Sequence, residues 1–354
     1  MSVRSDWFLP CVTSHSGVHF SDDGENGLVL DFGNPAEEIE AVGRGAFLCD
    51  APGAGEAVVT GEAGLKLLRR LLTADAACFP SGSAFRAAML NASGGIMLES
   101  LVIAGNDTWE LVFPPGAADA GKAWTRQVAV AFDAEVAEPA GRHAFWMGGP
   151  RLAETLRGIG IEMPAPGKTV CVGDGADTVV IAALPDMVLA VGAVAAANRL
   201  WEKVEAAGAV PVGEQGWELA RTLACMPALR RDYDESSSPV EFGFEACVDF
   251  RDAGRMFIGR ALTEARFRSG VRCRMGVLEI DAEVDPREFD EAPEAVVESS
   301  ASEGVLVTTW ARGHGKSYAL ALLPVSARTG DRAVVRIAAS GKLQESAGRV
   351  LRLA

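Results

Sequence analysis

Several familiar features are missing from this sequence. No C-x-x-C occurs, and its seven cysteines are scattered at positions 11, 49, 78, 171, 225, 247 and 273. Such scatter builds neither a disulfide framework nor a zinc site, and it points to a reducing, cytoplasmic compartment. His15 and His19 have i,i+4 spacing, but Gly17 lies between them in a turn-rich stretch, so no metal site is expected. Positive charge is scarce. With 33 Lys and Arg against 48 Asp and Glu, the net charge is −15, which argues against nucleic acid and anionic membrane surfaces as partners. The opening MSVRSDWFLPC has no basic-then-apolar leader pattern, so no leader is expected. No apolar run of membrane length survives inspection. The longest candidate, 179–197, is cut by Pro185-Asp186. It reads as a buried strand over 178–184 followed by an amphipathic helix over 186–207. Gly313-His314-Gly315-Lys316-Ser317 ends like a P-loop, but Trp310 stands where the motif's first glycine belongs and no helix follows. The lone Gly173-Asp174-Gly175 is weak support for a dinucleotide site, and no Ser-His-Asp set stands out.

What is present is nearly half apolar and, at 354 residues, long enough for two or three domains. Pro35 opens a short helix, 56–60 is a strand, and 61–72 is a helix with a leucine face and a basic face at Lys66, Arg69 and Arg70. Strands over 85–90 and 96–104 flank Asn91-Ala92-Ser93-Gly94-Gly95, a strong hairpin turn. A strand over 108–113 and a helix over 122–128 follow. The next stretch reads as helix 150–158, strands 168–173 and 178–184, the helix 186–207, and a helical piece around 217–223. Tight turns between strands favour α+β with antiparallel sheets over a parallel doubly wound sheet. From about 270 short strand-like runs succeed one another without a helix: 271–280, 295–299, 305–310, 317–322, 332–337 and 348–353. Closely spaced strands with turn signals indicate a small β-barrel or sandwich.

The stretch 229–262 is the most informative. It holds a charged turn, a proline after three serines, an alternating strand-like run and the step Met256-Phe257-Ile258-Gly259-Arg260. Asp234, Glu235, Pro239, Glu241 and Gly243, followed by Phe257, Ile258, Gly259 and Arg260, resemble the D-E-x-x-x-P-x-E-x-G and F-I-G-R pieces of the glycine cleavage T-protein (aminomethyltransferase) family. Leu71-Leu72-Thr73-Ala74-Asp75, Met89-Leu90-Asn91, Gly94-Gly95 and Lys316-Ser317-Tyr318-Ala319-Leu320-Ala321 resemble further pieces in the same order. The resemblance implies two interlocked α+β domains over 1–268 and a C-terminal β-barrel over 269–354, arranged as a three-domain ring. It implies tetrahydrofolate as cofactor and aminomethyl or methyl transfer as reaction. The expected partners are folate and a small methylated or aminomethyl donor, free or carried on a protein.

A folate ligand needs a carboxylate for the N–H edge of its pterin and an arginine fork for its glutamyl tail. Arg221 falls where the family has a tail arginine, and an ordinary helix-surface arginine is an equally weighted reading. Arg260 and Glu241 are also cofactor-binding candidates: Arg260 either approaches the ligand beside Gly259 or pairs with a carboxylate such as Glu241. The family's pterin-gripping glutamate is Ala176 here, with Asp174 or Asp177 as neighbouring substitutes. Glu99 is the carboxylate in the strand that carries the family's catalytic aspartate, so it is the catalytic candidate, weighed against an exposed strand glutamate. Pro114 replaces an asparagine, and Pro52-Gly53-Ala54-Gly55 replaces Ser-His-Met-Gly. These departures point away from standard glycine cleavage. The alternative is a non-catalytic folate-binding module of the kind that supports iron–sulfur proteins, although 253–260 lacks the cysteine of that group's motif.

Overall fold

The computed structural model describes residues 7–21, 28–298 and 304–354. In chain order the described elements are α1 (Pro10–Ser14), β1 (His19–Phe20), β2 (Val29–Asp31), α2 (Pro35–Arg44), β3 (Phe47–Asp50), β4 (Gly55–Thr60) and α3 (Gly61–Leu71). Then come β5 (Ser83–Leu90), β6 (Ile96–Ala104), β7 (Thr108–Phe113), α4 (Ala118–Ala129), β8 (Val136–Ala137), β9 (Arg142–Gly148) and α5 (Leu152–Gly158). These are followed by β10 (Thr169–Val172), β11 (Val179–Ala183), β12 (Met187–Ala193), α6 (Val194–Ala206), β13 (Val210–Pro211), α7 (Glu214–Leu223) and α8 (Arg260–Ser269). The last strands are β14 (Cys273–Ile280), β15 (Glu294–Val297), β16 (Gly304–Gly313), β17 (Lys316–Pro324), β18 (Arg332–Ala339) and β19 (Lys342–Leu353). Two compact units result. Unit 1 comprises Met1–Met89, Leu98–Trp217 and Gly254–Phe257; unit 2 comprises Leu90–Met97, Glu218–Ala253 and Ile258–Ala354.

Unit 1 is α+β. One sheet has the order β10-β11-β12-β9-β3-β13 and the other β5-β6-β7-β4-β8. The chain lays down β3, leaves to build the whole second sheet, and returns at β9 beside β3. The two sheets are therefore interlocked in sequence. Ala84, Leu101, Ile103 and Val112 of one pack against Ala144, Ala182, Leu189 and Val191 of the other. On the far side of the six-stranded sheet, Leu200, Trp201 and Val204 of α6 close a core with Phe145, Ile181 and Val188.

One expected element differs. The helix placed over 186–207 begins only at Val194, and Met187–Ala193 is a strand paired on both sides, with β11 and with β9. Its residues are apolar on both faces and buried on both. An apolar run of this length suits a central strand as well as a helix, and periodicity does not separate the two.

Unit 2 contains the closed barrel β14-β17-β16-β15-β18-β19, with β19 returning to β14. Its antiparallel strands account for the runs seen from about 270; the expected strand end at Ser299 lies outside the described residues. The P-loop-like stretch is the β16–β17 hairpin, turning through His314 and Gly315, both at positive φ. Two details of 229–269 depart from expectation. The alternating run after Pro239 forms turns and a short 3₁₀ helix, Glu245–Cys247, and no strand. The run after Gly259 is a helix, α8, whose low apolar content hid it.

Candidate functional site

The family-like motifs of unit 2 meet at the Asn91–Gly95 turn. Asn91 donates its side-chain amide to the Glu235 carbonyl at 2.8 Å, and its Oδ1 accepts from the backbone of Ser93 and Gly95. A Cβ at Gly95 would lie 1.8 Å from that same Glu235 oxygen, and one at Gly259 would lie 2.5 Å from the Asn91 carbonyl. These two glycines allow three backbone segments to touch, which is a physical reason for glycine at both positions. Ile96 then donates to the Ser237 carbonyl at 3.0 Å.

Arg221 of α7 is 2% exposed and is held from every side within unit 2. Its Nε donates to Glu218 at 2.9 Å, its Nη1 to Asp232 at 2.7 Å, and its Nη2 to the Thr309 hydroxyl at 2.7 Å. Asp232, with a fully buried side chain, also accepts from the Thr308 and Thr309 hydroxyls and from the backbone of Ala228. Burial works against the guanidinium's charge. The bonds and charges of Glu218 and Asp232 more than offset it, so the Arg221 pKa stands above its ordinary value. The arrangement is a satisfied buried ion cluster joining α7 to β16.

Arg260 is likewise engaged. It donates to the carbonyls of Asp252 and Phe250 and pairs with Glu264 one turn along α8, at 3.1 Å. The carboxylate partner is thus Glu264 and not Glu241, because α8 brings Glu264 onto the face of Arg260.

Glu241 faces a cavity of about 390 Å³, lined also by Val240, Val248, Phe267 and Arg274. Met275 of β14 donates its backbone N–H to the Glu241 carbonyl at 2.7 Å, and the Cys273 thiol is raised by burial and by the Glu241 charge. Next on β14 is Arg274, whose buried Nε has no hydrogen-bond partner among the described residues. Sequence reading missed Arg274. The available signal was an arginine near the start of a strand-like run that continues with the apolar Met275, Val277 and Leu278.

In unit 1, Glu99 of β6 lies 2.7 Å from Arg86 of β5, both side chains largely buried. Asp174 is exposed in the turn between β10 and β11, beside the short helix Gly175–Asp177 that carries Ala176. Asp177 there pairs with Arg199 of α6 at 2.8 Å. A second carboxylate group was not foreseen. Glu56 of β4 and Glu110 of β7 are bridged by Arg142. Burial and Glu110 push the Glu56 carboxyl up to about 8. Among the described residues no set of three or more His, Cys, Asp and Glu side chains is arranged to hold a metal, and no helix is long and apolar enough to cross a membrane.

No protein-family model matches the sequence. An aminomethyltransferase of Bordetella avium is 28% identical over 280 residues, covering 72% of this chain and 73% of its own length. An aminomethyltransferase of Thermosynechococcus vestitus is 24% identical over 290 residues, covering 77% of this chain and 75% of its own length. Among solved structures, the glycine cleavage system aminomethyltransferase T from Bartonella henselae superposes with a TM-score of 0.76 at 20% identity, over 95% of this chain and 93% of that one.

Proposed function

As a divergent member of the glycine cleavage T-protein, or aminomethyltransferase, family, this chain, we propose, is a tetrahydrofolate-dependent one-carbon transferase whose task differs from standard glycine cleavage. The observation that carries this reading is a likeness to proteins named aminomethyltransferase that spans 72% of this chain and 73% of the Bordetella avium relative. The donor is a small methylated or aminomethyl compound, free or borne on a carrier, and the work is cytoplasmic.

The residues present fit a folate in one place. Glu241 and Arg274 line one cavity, and together they are a hydrogen-bond-accepting carboxylate and a guanidinium with an unused N–H. A folate presents both kinds of partner, ring N–H donors and tail carboxylates. When bound, tetrahydrofolate supplies the nitrogen that takes up the one-carbon unit. Glu241 accepts an N–H of the ligand and Arg274 orients a carboxylate. Separately, in unit 1, Glu99 is the residue proposed to stabilise positive charge on a donor.

A second reading is a folate-binding module without transfer. It is favoured by the Glu99–Arg86 pair at 2.7 Å, since a carboxylate already compensated by an arginine has less to offer a cationic donor. Incubation with tetrahydrofolate and a panel of isotope-labelled N-methyl amines and aminomethyl carriers separates the readings. Label recovered on folate supports transfer. Folate that binds but stays unlabelled with every donor supports the module. Folate that neither binds nor acquires label contradicts both.

A further inference from the structure

The cavity in unit 2 is lined by groups of opposite charge, Glu241 and Arg274. Among the described residues, no hydrogen bond or ion pair engages the Glu241 carboxylate, and the Arg274 guanidinium has no carboxylate within salt-bridge distance. Both arginines expected to meet a ligand are occupied elsewhere: Arg221 by Glu218, Asp232 and Thr309, and Arg260 by Glu264 and two carbonyls. Arg274 differs from them in having an Nε–H that is buried and unsatisfied. A buried donor without an acceptor is costly, and a guanidinium edge presents two parallel donors suited to a carboxylate. The apolar walls at Val240, Val248 and Phe267 strengthen any charge pairing formed inside. At about 390 Å³ the cavity falls within the range of small-molecule sites, roughly 300–1,000 Å³.

We propose that Arg274 is the carboxylate-binding residue of this cavity, and that its ligand carries, besides the carboxylate, an N–H group accepted by Glu241. In effect the anion-holding role expected of Arg221 resides on β14. The inference deepens the proposed function and rests on it. The required chemistry occurs in two compounds of that reaction: the aminobenzoyl-glutamate tail of a folate, and an amino-acid donor with a protonated amine.

The test uses the full chain and calorimetry with two probes, p-aminobenzoylglutamate and N-methylglycine, each also offered as its carboxamide. At least one carboxylate probe binds, and R274Q or replacement of its carboxylate by carboxamide each weakens it at least tenfold. The two changes together do no more than either alone. Which probe binds assigns the carboxylate to the folate tail or to the donor. No binding of either probe, or a loss in R274Q smaller than tenfold, overturns the proposal. A second variant guards against misfolding. Ala246 is exposed at the cavity lining, so A246W fills the space without disturbing a core. It abolishes probe binding while thermal unfolding stays as in the parent, and retained binding overturns the proposal. Tetrahydrofolate titrated in parallel separates the two failures. Folate that binds equally to the parent and R274Q removes this inference alone. An N-methylglycine site that needs Arg274, in a chain that binds no folate, removes the folate reading alone.

Discussion

Arg86 and Glu99 face each other on neighbouring strands, β5 and β6, with a guanidinium nitrogen 2.7 Å from a carboxylate oxygen. The side chains are 15% and 14% exposed, so the pair sits in a partly dry environment where charge is felt strongly. The alternative of an exposed strand glutamate at position 99 does not hold. The arginine that answers it lies 13 positions earlier in sequence, on the neighbouring strand.

The first prediction concerns that pair. Glu99→Gln retains an acceptor for Arg86 and removes the charge. If Glu99 stabilises a cationic donor, the variant loses roughly two or more powers of ten in turnover while folate affinity stays nearly intact. Turnover equal to that of the parent, with any active donor, leaves Glu99 as a strand residue and favours the binding module.

Arg221 yields a stability prediction. Arg221→Met strands the fully buried Asp232 without its cation, while Glu218 keeps Arg231 at 2.9 Å. Removing one partner of such a cluster costs about 3–5 kcal/mol, measured by denaturant unfolding. A loss below about 1 kcal/mol would contradict a structural role and reopen Arg221 as a ligand residue.

How much was legible in advance follows from these residues. The strand and turn pattern of the barrel, the Asn91–Gly95 hairpin and the leucine face of α3 are local signals, and they appear in the structure. So does the order of the family-like motifs, whose glycines turn out to allow close backbone approach. The Arg221 cluster was not legible because Asp232 and Thr309 lie 11 and 88 positions away in sequence. β12 was misread because a run buried on both faces has no periodicity to follow. Arg274 was passed over because only the folded chain shows that its Nε is buried and unmatched.

A pH prediction comes from Glu56. Its carboxyl is raised from 4.5 to about 8 by burial and by Glu110, against the opposing pull of Arg142. Between those values the unfolded chain releases this proton and the folded chain keeps it. The folded state then binds more protons, so stability falls as pH rises. The contribution is fully present below 4.5 and is lost once pH passes about 8. The melting temperature of the parent minus that of Glu56→Gln therefore declines from about pH 5 to about pH 8 and levels off above. A difference independent of pH would rule out a shifted Glu56.

Arg255 supports a fourth prediction. Its buried guanidinium donates to the carbonyls of Arg69, Leu72, Thr73 and Ala74 at the C-terminal end of α3 and stacks on Phe257 at 4.9 Å. A cation there satisfies carbonyls that a helix end leaves open and lies at the negative end of its dipole. Arg255→Met leaves several buried acceptors unmatched at about 1–3 kcal/mol each, so the unfolding midpoint drops sharply. An unchanged midpoint would mean that the contacts carry no net stability.

The central claim is that this chain binds a reduced folate. The direct measurement is calorimetric titration of the full chain with tetrahydrofolate under anaerobic conditions. The account predicts saturable binding at one site per chain. No saturable heat at millimolar folate, from a chain that unfolds cooperatively, would contradict it.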